Sequence, residues 1–329
     1  MEPPVILRSG ASDLDATVLI CTYNRPVDLA RTLDGLARLR TSFTWEVVLV
    51  DNNSSDRTPE VVRRAAAWFP VPLRYMFEPR QGKSHALNTG IDSSRARVIA
   101  FTDDDVDVPE GWLEAGVRPL LERSDIDYTG GPVRPGWGAP RPRWLDESGN
   151  LGGTIAVKDH GDTPFVFEDE RKTPLGVNMV VRRALIEHIG GFRPDLGRSG
   201  RSLLGQEQAE FFYRSRRAGA RGLYVPAMWL THQVPAARLT RDYFRRWWFW
   251  KGISHARLHG IHGSTELGVD LSSVPRLAGV PRYMFRTAVA DALGWCRGLI
   301  TARPARRAEH AMMLAYFAGY LRESLRRSV

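Results

Sequence analysis

Short apolar runs alternate with amphipathic stretches over the first hundred residues, and that alternation leaves few folds open. "TVLIC" (17–21) reads as a buried strand. "RPVDLARTLDGLARL" follows, with Val27, Leu29, Leu33 and Leu36 at helical spacing. "WEVVLVDNNSSD" is a second strand ending at Asp51, "TPEVVRRAAAWF" a second helix and "PLRYMFE" a third strand. "SHALNTGIDSS" gives a short helix and "RVIAFTDDD" a fourth strand. Strands that alternate with helices predict an α/β fold with a mostly parallel, Rossmann-like central sheet flanked by helices. Ligands of such sheets collect outside the carboxyl ends of the strands. Three polar clusters fall there: Thr22 to Arg25, Asp51 to Ser54, and Asp103 to Asp105.

Further along, the segment 131–176 is rich in Gly, Pro and Trp, as in "GPVRPGWGAPRPRW", and predicts loops with irregular strands. "NMVVRRALIEHIGGF" reads as a strand running into a helix that a Gly pair ends. "EQAEFFYRSRRAG" is a helix stopped by Gly219, "GLYVPAMWLTHQV" is strand-like, and the tail from about residue 240 is helical. The expected division is an α/β domain over 1–240, with a distinct part at about 130–240, and a helical extension over 241–329.

Composition narrows the setting. Two cysteines, Cys21 and Cys296, cannot build a disulfide framework and fit a reducing compartment. The N-terminus lacks the basic start and long apolar stretch of a signal peptide. No run approaches the roughly 18 to 20 apolar residues of a membrane span. A cytoplasmic protein is expected, with the inner membrane face as a peripheral alternative. The net charge of +9 favours acidic partners such as phosphates, nucleic acid or anionic lipid.

The acidic run is the strongest chemical signal. In "VIAFTDDDVDVPEGW" (98–112), Asp103, Asp104, Asp105 and Asp107 stand directly behind an apolar strand. Asp103 and Asp105 are two apart, so an extended backbone points both to one side. Two such carboxylates can hold a hard divalent cation together with a ligand's phosphates. A solvated loop is the plain alternative, and Asp107 looks like the N-cap of a helix through "PEGWLEAG". In "CTYNRP", backbone donors at a helix start and Arg25 suit an anionic ligand, and Tyr23 offers a stacking face; an ordinary capped turn would look similar. Lys83 in "QGKSHALN" could meet a phosphate or be a surface lysine. No G-x-G-x-x-G and no P-loop pattern is present. Glu207 and Glu210 lie near one helix face; Glu210 can pair with Arg214 at i+4, which leaves Glu207 the freer candidate for a general base. His232, in "WLTHQVP", is by itself more often structural than a ligand.

Six segments in order resemble the family 2 glycosyltransferases of the GT-A fold. They are "VLICTYNRPVDLARTLDGL", "EVVLVDNNSSDRT", "QGKSHALNTGI", "VIAFTDDDVDVPEGWL", "GVNMVVRRALIEHIGGF" and "EQAEFFYRSRRAG", within residues 15–235. The resemblance implies transfer of a sugar, usually with inversion, from a nucleotide diphosphate donor, a UDP-sugar by expectation. It implies a nucleotide site at Thr22, Tyr23, Asn24, Arg25, Asp51, Asn53, Lys83, Asp103 and Asp104. Asp105 and His232 would hold Mg²⁺ or Mn²⁺, Gly176, Val177 and Asn178 would lie near donor sugar and acceptor, and Glu207 would be the base. There is one departure. The family commonly carries Glu-Asp at the start of the catalytic helix, and here the pair is Glu207-Gln208. Gln208 cannot accept a proton usefully, which moves the base to Glu207 or leaves an impaired nucleotide-sugar binder.

The tail segment "RLTRDYFRRWWFWKGISHARLHG" mixes arginines with aromatics. One reading is a membrane-surface helix that meets a lipid-linked acceptor; the other is a helix that packs its aromatics on the core. "HAMMLAYFAGYLRESLRR" is also amphipathic, and its face could serve peripheral membrane contact or a homodimer. Two other function classes compete. A sugar nucleotidyltransferase commonly has a Gly-rich basic loop after its first strand, which "CTYNRPVD" does not resemble. A nucleic-acid binder would use the +9 charge, but three central aspartates repel a phosphate backbone. The expected partners are therefore a nucleotide sugar and a hydroxyl acceptor, without nucleic acid.

Overall fold

The computed structural model describes residues 14–145, 151–169, 171–200, 202–301 and 303–327. The chain forms two compact units, Met1–Arg134 with Lys158–Pro194 and Arg214–Gln233, and Pro135–Val157 with Asp195–Tyr213 and Val234–Val329.

The first unit begins with β1 (Ala16–Thr22), α1 (Pro26–Leu36), β2 (Trp45–Asp51), α2 (Thr58–Ala66), β3 (Leu73–Phe77), α3 (Lys83–Ser93) and β4 (Val98–Asp103). β5 (Val106–Asp107), α4 (Trp112–Glu122), β6 (Tyr128–Gly130), β7 (Val133–Trp137), β8 (Phe165–Val166), β9 (Met179–Arg182) and α5 (Arg183–Ile189) follow. Then come β10 (Gly222–Tyr224) and β11 (Leu230–Val234), while α6 (Glu207–Arg217) is divided between the units, its part up to Tyr213 in the second. The main sheet runs β3-β2-β1-β4-β9-β6-β10-β8. Its β3-β2-β1-β4 portion is parallel, as the alternation predicts. β9 enters antiparallel between β4 and β6, and β10 returns parallel to β6, so the sheet is mixed.

β1 and β2 are buried along almost their whole length, which matches their lack of polar alternation. α1 starts with Pro26 in its first turn and turns Leu29, Leu33 and Leu36 onto the sheet, where they share a core with Val18, Ile20, Val47 and Leu49. Register brings the polar strand ends level: Thr22 lies opposite Asp51, and Cys21 opposite Asp103. A second sheet, β5-β11-β7, pairs His232 with Val106 and Thr231 with Asp107. The predicted glycine stops hold, with Gly190 and Gly219 at φ of 84° and 77° after α5 and α6.

Asp107 departs from its expected role. It does not cap a helix: it lies extended in β5, and α4 begins only at Trp112, after the turn that Pro109 closes with its carbonyl on the Trp112 N–H. Pairing with β11 fixes Asp107 in a backbone conformation from which its carboxylate serves Arg31 at 3.3 Å and Gln233.

The second unit is built on α7 (Arg241–His262), α8 (Arg282–Ile300) and α9 (Pro304–Arg327). Thr240 caps α7 by accepting the Tyr243 N–H at 3.2 Å. Phe244 and Trp248 are buried in a core with Leu145, Ile155, Val234 and Met312, so these aromatics pack inward. Among the described residues no helix is long and apolar enough to cross a membrane. α7 and α9 approach backbone to backbone at two glycines. A Cβ on Gly252 would lie 2.0 Å from the Tyr316 carbonyl oxygen, and one on Gly319 would lie 1.9 Å from that of Phe249. Neither neighbour is a flexible side-chain end, so the helices would have to separate. Gly319→Val is expected to destabilise the second unit by about 1–3 kcal/mol, read as a lowered thermal midpoint; an unchanged midpoint would refute the close approach.

Candidate active site

The carboxyl edge of β1, β2 and β4 carries the acidic turn and its cations. Three carboxylates in a row behind a buried strand need strong compensation, because burying an unpaired charge is costly. Arg25, just after β1, places Nη1 3.1 Å from Asp104 Oδ1 and 2.5 Å from Asp105 Oδ2. Lys83, the first residue of α3, places Nζ 2.5 Å from Asp103 Oδ1. Thr22 donates its hydroxyl to Asp104 Oδ2 at 2.7 Å. Burial pushes the Asp104 carboxyl up to about 6, with Asp105 adding to the rise against the pull of Arg25. Burial also opposes ionisation of Asp103, but Lys83 outweighs it and holds that carboxyl below its ordinary value. For Arg25, burial works against the charge, and Asp104 and Asp105 more than reverse this, raising its pKa.

The turn itself is held from below by a residue that the motif reading missed. Thr32, on the buried face of α1, donates to the carbonyls of Asp104 at 3.0 Å and Val106 at 2.9 Å, and accepts the Val106 N–H at 3.1 Å. It stands inside an otherwise leucine stripe, and that polar interruption was its available signal. From the other side β11 closes in. The Gln233 N–H donates to the Asp105 carbonyl at 2.9 Å, and His232 Nε2 lies 3.5 Å from Asp105 Oδ1. The Asp105 and His232 side chains are 6% and 4% exposed. A carboxylate oxygen and an imidazole nitrogen that converge in this way form a donor pair suited to a divalent first-row ion.

The neighbouring loops are cross-linked. Asn24 and Asn53 adopt left-handed backbones, with φ of 52° and 66°. The Asn24 N–H donates to Ser54 Oγ at 2.9 Å, and Asn24 Oδ1 accepts the Ser55 N–H at 2.8 Å. Asp51 is fully buried, accepting the Ser54 N–H at 2.9 Å and the Tyr75 hydroxyl at 2.8 Å. Tyr23 is 45% exposed, with its ring available for stacking. Asn52, which sequence reasoning passed over for Asn53, accepts the Gly82 N–H at 2.7 Å and donates to the Arg80 carbonyl at 2.8 Å, fixing the loop before Lys83.

Glu78 anchors that same loop. It is buried and accepts from Arg80 N at 2.8 Å, Arg80 Nε at 2.9 Å, Arg80 Nη2 at 2.8 Å and the Thr89 hydroxyl. Asn178 is fully buried and braces three segments: it accepts from Trp112 Nε1 at 2.8 Å and donates to the carbonyls of Pro132 at 2.9 Å and Met228 at 2.7 Å. Val177 is also buried, and Gly176 precedes it in the turn that the Asn178 N–H closes on the Leu175 carbonyl. Within the second unit, Glu207 opens α6, and Glu210, 1% exposed, has Oε1 3.1 Å from His262 Nε2.

The sequence profile of glycosyl transferase family 2 matches residues 17–190, more than half of the chain. The chain belongs to this family. It is 30% identical over 261 residues, 76% of this chain and 78% of the relative, to the succinoglycan biosynthesis protein ExoM of Rhizobium meliloti. In fold it is similar to the mannosyltransferase PcManGT from Pyrobaculum calidifontis, solved in complex with GDP-Man and Mn²⁺. That likeness has a TM-score of 0.63 at 19% identity and covers 97% of this chain and 90% of that one. It is also similar to GalNAc-T7, solved with UDP, GalNAc and Mn²⁺, with a TM-score of 0.51 at 18% identity over 80% of this chain and 53% of that one. The protein is thus a glycosyltransferase with a GT-A-like α/β fold and a C-terminal helical region.

Two measurements probe this edge. Thr32→Val strands two carbonyls and an N–H and is expected to cost about 1–3 kcal/mol; a chemical-denaturation midpoint equal to the parent's would count against the clamp. The Glu78 carboxyl is held down to about 2, chiefly by the Arg80 guanidinium. A depressed acid pKa stabilises the fold above the ordinary value of 4.5 and loses that contribution as pH falls toward 2. Glu78→Gln should therefore lie below the parent in stability at pH 7 and converge with it near pH 2 to 3, where thermal melts can be compared.

Proposed function

We propose that the enzyme transfers a sugar with inversion from a nucleoside diphosphate donor, UDP being the first candidate, to a hydroxyl of a growing glycan. The observation that carries this reading is the meeting of Asp105 and His232 at 3.5 Å on the sheet edge that also holds Asp103, Arg25 and Lys83. Tyr23, Asn24, Asn53 and Asp51 would take the nucleoside, with the Tyr23 ring against the base. Thr22 and Asp104 would hold the edge in shape, and Asp103 would face the ribose.

Asp105 and His232 would hold Mg²⁺ or Mn²⁺, which when bound supplies positive charge to the diphosphate. The imidazole nitrogen beside the carboxylate suits Mn²⁺ better than the harder, oxygen-seeking Mg²⁺. Arg25 and Lys83 would swing from their carboxylates toward the phosphates and meet the charge that develops on the leaving oxygen. The acceptor oxygen attacks C1 of the sugar from the face opposite the diphosphate; the C1–O bond to the β-phosphate breaks, and its electron pair leaves with the nucleotide. Glu207 would take the proton of the attacking hydroxyl. Gly176, Val177 and Asn178 would shape the floor beside the donor sugar. The likeness to a polysaccharide-biosynthesis protein of a bacterium supports a glycan acceptor, and Gln208 beside Glu207 leaves Glu207 as the proton acceptor of that pair.

Glu207→Gln is expected to lower turnover about 10²- to 10⁴-fold while leaving Mn²⁺-dependent UDP binding intact. Asp105→Asn should abolish that binding. Calorimetry with UDP and Mn²⁺, together with a nucleotide-sugar hydrolysis screen, reads both. Undiminished turnover in Glu207→Gln removes it as base, and metal-dependent binding that survives Asp105→Asn removes that ligand.

A further inference from the structure

A second cluster of metal-ligating side chains lies in the helical unit. His255 and His259 are i and i+4 on α7, so their rings share one face of the helix. α7 ends at Gly263, whose φ of 65° turns the chain back. The loop that follows is closed by Thr265 N–H to Val269 O at 2.9 Å and by Leu271 N–H to Gly263 O at 2.9 Å. That loop carries Glu266 onto the two imidazoles. Glu266 Oε2 lies 3.4 Å from His259 Nε2, and Oε1 lies 3.9 Å from His255 Nε2. One ligand atom from each residue falls within 4.8 Å of the others.

Both ring nitrogens on the far side are occupied by tyrosines of α9. Tyr316 Oη lies 3.0 Å from His255 Nδ1, and Tyr320 Oη lies 3.1 Å from His259 Nδ1. If each Nδ1–H donates to its tyrosine, both Nε2 lone pairs face Glu266. A hydrogen-bonded partner on Nδ1 is the arrangement that fixes and orients a metal-binding histidine. Glu266 reaches His259 Nε2 as a long hydrogen bond at 3.4 Å, but at 3.9 Å it makes none to His255 Nε2, so hydrogen bonding accounts for one imidazole and not the other. Tetrahedral ligands at about 2.0–2.1 Å from zinc stand about 3.3–3.5 Å apart; the 3.4 Å pair already matches, and the widest spacing, within 4.8 Å, has to close by up to about 1.5 Å on binding. His255 and His259 are buried, at 7% and 4% exposed. Lys251, one turn earlier on α7, is the neighbouring cation; its Nζ lies over the Trp248 ring at 4.5 Å from the centroid.

We propose that His255 Nε2, His259 Nε2 and Glu266 form a zinc-class divalent-cation site, with water in the remaining position, that pins the 264–270 loop to α7. The site shares no residue with the one proposed at Asp105 and His232, and it does not depend on that reading.

The test uses the full-length, tag-free protein with Asp105→Asn, so that the other candidate ligand is absent. After chelation and dialysis, Zn²⁺ titration followed by elemental analysis should show one tightly held equivalent, and zinc should raise the thermal midpoint by about 5 °C or more where Mg²⁺ does not. His259→Gln and Glu266→Gln should each lose the retained zinc and the shift while keeping the parent's circular dichroism. Should either variant fail to fold, Co²⁺ added to the Asp105→Asn protein decides: strong visible bands of a four-coordinate nitrogen and oxygen site support the proposal, and the weak bands of hexa-aqua cobalt overturn it. It is equally overturned if no zinc is retained, or if both folded variants retain it like the parent.

Discussion

The turn between β4 and β5 places three carboxylates where burial alone would exclude them, and the rest of this sheet edge is arranged to allow that. Arg25 and Lys83 supply the neutralising charge, Thr22 a hydrogen bond to Asp104, and Thr32 the backbone clamp. Each comes from a different element, so the turn keeps its shape only while β1, α1, α3 and β4 keep their register. A rigid core beneath the edge fixes the distances at which opposed charges meet, and in a partly desolvated setting those distances set the energies. The same compensation leaves the edge electrically near balance before any donor arrives.

What the sequence made legible follows from how local each signal is. Strand runs, helix stripes and the step from apolar to acidic at Thr102–Asp103 are contiguous in the chain, and the structure reproduces them. The pairing of Asp105 with His232 spans more than a hundred residues, and it became an expectation only through the order of the family's segments. Asp107 shows the opposite failure: its residue type and the Pro-Glu-Gly that follows suggested a cap, whereas strand pairing with β11, a partner remote in sequence, decided its conformation. Thr32 and Asn52 were visible as residues but silent as roles, because the groups they hold are backbone atoms that no side-chain pattern advertises.

The helical unit was legible as helices and opaque as a site. "SHARLHG" places two histidines one turn apart, yet Glu266 sits beyond the end of the helix and the two tyrosines are some sixty residues away. The aromatic stretch of α7, which invited a membrane reading, sends Phe244 and Trp248 into the interior. Composition could not distinguish these outcomes, since a buried aromatic stripe and a lipid-facing one are written with the same letters.

The glycine crossings between α7 and α9 work as a vernier. Gly252 and His259 are seven residues apart, close to two full turns, and Gly319 directly precedes Tyr320. Deleting one residue between Gly252 and His259, or between Tyr316 and Gly319, would rotate the ring by about 100° about its helix while the crossing point stayed locked. Within these stretches the chain can exchange side chains far more readily than it can change length, so family members that share this pair of helices should place their insertions and deletions elsewhere.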